Sequence, residues 1–83
     1  MKIYIKESVY KDLCEITKNK AEQKEIINKV VKSMEEGKYE KLKGHLKQYY
    51  RVRIGKSRAI FCEYKDGLLI LRIAKREDIY KKR

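Results

Sequence analysis

The chain has 83 residues, 42% of them charged, no proline and a formal net charge of +11. That length makes one domain, residues 1–83, with a modest core, and the charge favours polyanionic partners: nucleic acid, an anionic membrane surface or an acidic protein. No apolar run approaches a membrane span, and the opening MKIYIKESVYKDL lacks the unbroken apolar stretch of a signal peptide, so a cytoplasmic protein is expected.

Lys2 to Lys6, KIYIK, alternates charged and apolar residues and predicts a half-buried strand at or near a sheet edge. Ser8 is placed to cap a short helix on which Val9, Leu13 and Ile16 share one face, and TKNK then breaks the pattern. From Ala21 to Glu36 a second helix carries Ile26, Ile27, Val30, Val31 and Met34 on one face, and Gly37 stands where a left-handed cap belongs. Residues 38–47 read as a basic connector without a period, bent at Gly44. Three strands follow, Tyr49 to Ile54, Arg58 to Tyr64 and Leu68 to Ala74, joined by Gly55-Lys56 and Asp66-Gly67 as two-residue hairpin loops. The order is β-α-α-β-β-β with a short C-terminal turn or helix, an α+β domain whose two helices cover one face of a mainly antiparallel sheet.

Cys14 and Cys62 stand far apart without a CxxC, and His45 is the single histidine. Neither a disulfide framework nor a zinc site is indicated, so both cysteines are expected as reduced, partly buried thiols, and no metal or cofactor is expected. His45 reads as a loop residue. Tyr39, Tyr49 and Tyr50 can stack on bases or pack, with packing expected for at least two of them.

The charge is unevenly spread. Residues 1–50 hold 12 Lys, no Arg and 8 acids, whereas 51–83 hold 5 Lys, 6 Arg and 4 acids. A chain that uses lysine for ordinary solvated faces and changes to arginine in one region has use there for the planar, forked guanidinium, which grips phosphate bidentately. If both loops have two residues, Arg53 lies opposite Arg58, Arg51 lies opposite Ile60 on the same face, and Arg58 lies opposite Lys75, giving a row of Arg53, Arg58 and Lys75 across three strands. Like charges directly opposite cost up to about 1 kcal/mol per pair. The row therefore has the character of a preformed phosphate site, with Lys47, Lys56 and Lys75 as flanking RNA contacts and Arg76 at the strand end. The bland alternative is a solvated face with its long side chains splayed into water. Tyr80 follows Arg76 by four residues, the spacing of one helical face. Bringing a phenol from a pKa of about 10 to about 7 needs roughly 4 kcal/mol, which one cation at about 4 Å can supply at an effective dielectric of about 20.

The run YYRVRIGKSRAIFCEYKDGLLILRIAKREDIY resembles the C-terminal half of the RelE/ParE toxins of type II toxin–antitoxin systems, whose Y-R-x-R-x-G-x-x-R hairpin is followed by a strand and an x-R-x-x-x-Y ending. The element order agrees with that resemblance over the whole chain. In its RelE branch it implies a ribosome-dependent, metal-independent endoribonuclease that inhibits translation: the 2′-hydroxyl attacks the adjacent phosphate, leaving a cyclic phosphate and a free 5′-hydroxyl. Carried over, Arg51 and Arg53 match the basic pair that steadies phosphates and neighbouring ribosomal RNA, and Arg58 matches the arginine that stabilises charge on the transition-state phosphate. Arg76 matches the arginine linked to the leaving group or to phosphate contact, and Tyr80 the tyrosine that helps remove the 2′ proton. Ser57 stands where many relatives carry an aromatic residue. The partners implied are messenger RNA, the ribosome and a cognate antitoxin with an acidic segment, and no membrane. The ParE branch implies instead a DNA gyrase inhibitor on the same scaffold. A non-catalytic basic RNA-binding module, or a toxin without activity, is the third possibility, since charge alone supplies binding.

Overall fold

The computed structural model describes residues 2–75. Its elements are β1 (Lys2–Ile5), α1 (Glu7–Ile16), α2 (Lys20–Glu35), β2 (Glu40–Lys41), a 3-10 turn (Gly44–Leu46), β3 (Tyr49–Ile54), β4 (Ser57–Tyr64) and β5 (Gly67–Lys75). The five strands form one sheet in the order β1-β5-β4-β3-β2, with β1 parallel to β5 and every other neighbour antiparallel. This is the expected α+β arrangement with one strand more. Glu40 and Lys41 pair with Arg51 and Tyr50 inside what the sequence presents as a plain connector.

Both helices lie on one face of the sheet. Val9 and Leu13 of α1 and Val30 and Met34 of α2 close over Val52, Ala59, Phe61, Ile70 and Ile73. The expected stripe of α2 splits by depth: Val30 and Met34 are buried, while Ile26, Ile27 and Val31 pack around them. Tyr50 stacks on Phe61 at 5.1 Å, and Tyr39 meets both rings edge-on at 5.3 and 5.1 Å. Tyr39 and Tyr50 are therefore packing residues. Cys14 is exposed rather than partly buried, Cys62 is half-buried, and both are free thiols.

Helix ends follow local chemistry in one case and tertiary contacts in the other. Asn19 caps α2 by accepting from the Glu22 amide at 3.1 Å. At the far end Gly37, with φ of +75°, allows the Lys38 amide to reach the Ser33 carbonyl and its own amide to reach Met34, which satisfies two orphan carbonyls. Ser8 does not cap α1, which starts two residues earlier, at Glu7 behind Lys6. Its hydroxyl donates instead to the Leu71 carbonyl at 2.8 Å.

That contact answers a need of β5. Pairing with β1 ends at Ile70, so the strand beyond presents a bare edge. Lys6 donates its amide to the Ile70 carbonyl at 3.0 Å, Ser8 serves Leu71, and Asp12 accepts from the Ile73 amide at 2.9 Å. The start of α1 thus takes over where β1 stops. Among the described residues, no helix is long and apolar enough to cross a membrane.

Candidate nucleic-acid interface

The β3–β4 hairpin turns through Gly55-Lys56, with Ile54 opposite Ser57 and Gly55 at φ of +58°, a conformation glycine adopts without penalty. A two-residue loop fixes everything upstream: Arg53 stands opposite Arg58 and Arg51 opposite Ile60. Val52 and Ala59, one position along, are wholly buried under the helices, so alternation sends the three arginines to the helix-free face. Arg53 is exposed and Arg58 half-buried. None of the ion pairs among the described residues involves either of them.

The third member of the expected row is elsewhere. The hairpin between β4 and β5 turns at Lys65-Asp66, with Tyr64 opposite Gly67, one residue earlier than Asp66-Gly67. A bulge then shifts the register between Ile60 and Phe61, leaving Leu71 without a partner. Together these place Arg58 opposite Ala74, and Lys75 opposite Ser57 on the helix-side face. Lys75 lines a hollow with Asp12 and Glu15 of α1, away from the arginines. Arg72 takes the place opposite Ile60, but its guanidinium turns to Asp12, with Nε donating to Oδ2 at 2.8 Å and Nη2 to Oδ1 at 2.9 Å. It serves the scaffold. Lys47 and Lys56 are exposed at the 3-10 turn and at the hairpin tip.

Sequence reasoning missed Glu40. Paired with Arg51 across β2 and β3, it accepts a hydrogen bond and ion pair from the Arg51 guanidinium, whose side chain is only 19% exposed. The hydrogen bond from Arg51, its charge, and the charges of Arg53 and Arg58 hold the Glu40 carboxyl below the usual carboxylate range. A carboxylate is thus kept ionised against three guanidiniums. The only signal for it in the sequence is alternation too short to read.

Cys62, on the same face opposite Tyr49, has its thiol pushed up by burial and by Glu63, which keeps it protonated and poorly nucleophilic. At the far end Tyr4 donates to Asp66 at 2.8 Å and meets Tyr64 edge-on at 5.3 Å, so these phenols are engaged in structure. No group of three His, Cys, Asp or Glu among the described residues could hold a metal. His45 is exposed in the 3-10 turn, and Arg76 and Tyr80 lie outside the described residues.

The chain has the fold of the RelE-like toxins of toxin–antitoxin systems. Three solved structures carry that statement. The toxin–antitoxin complex RelBE2 of Mycobacterium tuberculosis aligns with a TM-score of 0.70 at 15% identity, over 89% of this chain and 95% of that one. A copper-bound mutant toxin of Helicobacter pylori gives 0.69 at 16% identity, over 95% and 98%. The YoeB dimer of Staphylococcus aureus gives 0.65 at 23% identity, over 92% and 95%. No family model and no curated protein matches the sequence.

Proposed function

We propose that the protein is the toxin of a type II toxin–antitoxin pair and that it cleaves messenger RNA on the ribosome. The observation that carries this reading is the direct apposition of Arg53 and Arg58 on the helix-free face, with Arg51 beside them. Two guanidiniums held side by side repel one another in the empty protein and attract an anion that bridges them. Folding strain of that kind is useful only where a ligand relieves it.

In the step proposed, the 2′-oxygen of the messenger forms a bond to the adjacent phosphorus while the bond to the 5′-oxygen breaks. The products are a 2′,3′-cyclic phosphate and a 5′-hydroxyl, and by the resemblance no metal takes part. Arg58 and Arg53 donate to the non-bridging oxygens as charge builds on the pentavalent phosphate, and donors aimed in advance cost no reorganisation at that moment. Arg51, clasped by Glu40, holds a flanking phosphate or ribosomal RNA. The 2′ proton passes either to the ionised Glu40 carboxylate on this face or to Tyr80 in its phenolate form, the residue the resemblance assigns, and the leaving 5′-oxygen takes up a proton from solvent to give the hydroxyl. Arg76 contacts the phosphate or the leaving group. The antitoxin, with an acidic segment, covers the basic face and silences it.

The test is primer extension on a messenger in a translating extract, with and without ribosomes. New 3′ ends at codon spacing, absent with Arg58→Ala and Tyr80→Phe, are the expected result. Intact messenger combined with inhibited supercoiling by purified gyrase would select the gyrase reading instead. Intact messenger combined with RNA affinity that falls with salt at a log–log slope of about −3 to −4, the value for roughly five neutralised phosphates on a single strand, would select a non-catalytic binder.

A further inference from the structure

β4 is longer than its partner. Pairing with β3 begins at Tyr49 opposite Cys62, and β4 continues through Glu63 and Tyr64 with no strand beside it on that side. The chain entering β3 swings past this gap, and the result is an open notch of about 460 Å³ lined by Lys41, Lys47, Gln48, Tyr49, Cys62 and Glu63. Its size falls in the range of small-ligand clefts, about 300–1,000 Å³. Tyr49 and Cys62 are half-buried, while Lys41, Lys47, Gln48 and Glu63 are exposed around them. No side-chain hydrogen bond or ion pair among the described residues involves Gln48 or Glu63.

We propose that this notch is a nucleobase subsite, taking the base next to the phosphate held by the arginines. The proposal rests on the reading of the arginine face as an RNA site and adds to it a reader of base identity. Tyr49 and Arg51 share one face of β3 two residues apart, about 6.8 Å, which is about the advance of one nucleotide along an extended strand. An RNA whose phosphate lies on Arg51 and Arg53 therefore delivers its neighbouring base over Tyr49. A phenol ring flanked by lysines is the combination that holds single-stranded nucleotides, stacking for the base and charge for the backbone.

Glu63 gives the notch its selectivity. A carboxylate lining a notch beside an RNA-binding face opposes affinity unless it accepts a hydrogen bond, and the best-exposed donor that a base edge offers to a carboxylate is an exocyclic amino group. Cytosine, adenine and guanine carry one, whereas uracil offers a carboxylate only its N3–H, set between two carbonyl oxygens that repel the anion. The Gln48 amide beside it can supply both a donor and an acceptor to the rest of the base edge. The subsite is thus an amino-base reader that disfavours uridine.

The experiment is an NMR titration of the labelled protein with cytidine 3′-monophosphate, uridine 3′-monophosphate and inorganic phosphate, which needs no cleavage to report. Amides of Gln48, Tyr49, Cys62 and Glu63 are expected to move with Arg51 when cytidine 3′-monophosphate is added, and to move little with phosphate alone. Tyr49→Ala should weaken cytidine binding about tenfold, in line with the loss of one stacked base, while Tyr49→Phe keeps it. Lys47→Ala gives a second reduction at a residue with no packing role, should Tyr49→Ala fold poorly. Glu63→Gln should bring uridine level with cytidine. Notch amides that stay still with both nucleotides, or nucleotide affinity no greater than that of phosphate, overturn the proposal. If the messenger-cleavage assay fails while these shifts persist, the nuclease reading falls and the subsite stands. Cleavage by wild type with a silent notch would keep the nuclease reading and remove the subsite.

Discussion

Asp12 clasps Arg72 at two points, 2.8 and 2.9 Å, while its Oδ2 also accepts from the Ile73 amide. The carboxylate is 6% exposed, whereas the Arg72 side chain is 55% exposed. The energetic weight therefore lies on the buried side. Removing the carboxylate leaves the Ile73 amide without its acceptor, a loss of about 1–3 kcal/mol, whereas the solvated arginine adds a fraction of that. Asp12→Ala is expected to destabilise the protein by about 2–3 kcal/mol and Asp12→Asn by less, since its amide oxygen still accepts. Urea denaturation followed by circular dichroism checks both. Loss in Asp12→Ala no larger than in an exposed control such as Glu15→Ala would show that α1 does not hold the β5 edge.

Arg53 and Arg58 separate stability from function by the sign of their effects. If the pair is a phosphate site, Arg58→Ala removes a like-charge contact and leaves folding unchanged or more stable by a few tenths of a kcal/mol. Cleavage of messenger falls at the same time by about a hundredfold or more, as when one aimed donor is lost from a transition-state site. A thermal melt and a cleavage time course on the same preparation measure the two together. Added phosphate or short RNA should raise the melting temperature of wild type more than that of Arg58→Ala, because only a ligand bound to the folded form stabilises it. A variant that loses stability and keeps cleavage would assign the pair to the scaffold.

Glu40 ties the pH response to this face. Its folded-state pKa lies below the unfolded value of about 4.3, chiefly through the hydrogen bond from Arg51 and then through the charges of Arg51, Arg53 and Arg58. The stabilisation it gives is present above the unfolded pKa and is lost as pH falls through the folded one. Wild type should therefore exceed Glu40→Gln in stability at pH 7, and the two should converge as pH falls below the unfolded value and through the lower folded one, as measured by denaturation at each pH. The same substitution removes a negative charge from beside three arginines, so RNA binding at pH 7 should tighten. If Glu40 also accepts the 2′ proton, cleavage slows while binding strengthens, a combination that charge neutralisation alone does not produce.

The β3–β4 hairpin is legible in the sequence because its loop is short and glycine-led. Gly55-Lys56 implies the register of Arg51, Arg53 and Arg58 that the structure has. Lys75 departs from its expected place for two physical reasons: the loop sits at Lys65-Asp66, with Lys65 at φ of +50°, and Leu71 bulges out of the ladder. A bulge answers to the edge that α1 must cover, which no local pattern records. β2 is two exposed residues, too short for alternation to register, and the importance of Glu40 arises only from Arg51 eleven positions later. Ser8 has the right chemistry for a cap and a better partner across the fold.

Gly67 is the remaining case in which local and tertiary demands differ. The sequence places it inside a turn, but it opens β5 opposite Lys2, and a Cβ built there would collide with the Lys2 carbonyl oxygen and carbon, both of them backbone. Backbone cannot swing aside as a side-chain end can, so the parallel β1–β5 pair must separate locally. Gly67→Ala is expected to cost about 2–3 kcal/mol, the upper part of the overpacking range, and to raise hydrogen exchange at the β1 amides before the rest of the sheet. Gly55→Ala provides the contrast. Nothing lies within 4 Å of a Cβ at Gly55, but its φ of +58° penalises a side chain by about 1–2 kcal/mol, and the exchange it raises should be confined to the β3–β4 hairpin. Uniform exchange in both variants would mean that the two ends of the sheet open as one unit and that β1 is not separately held.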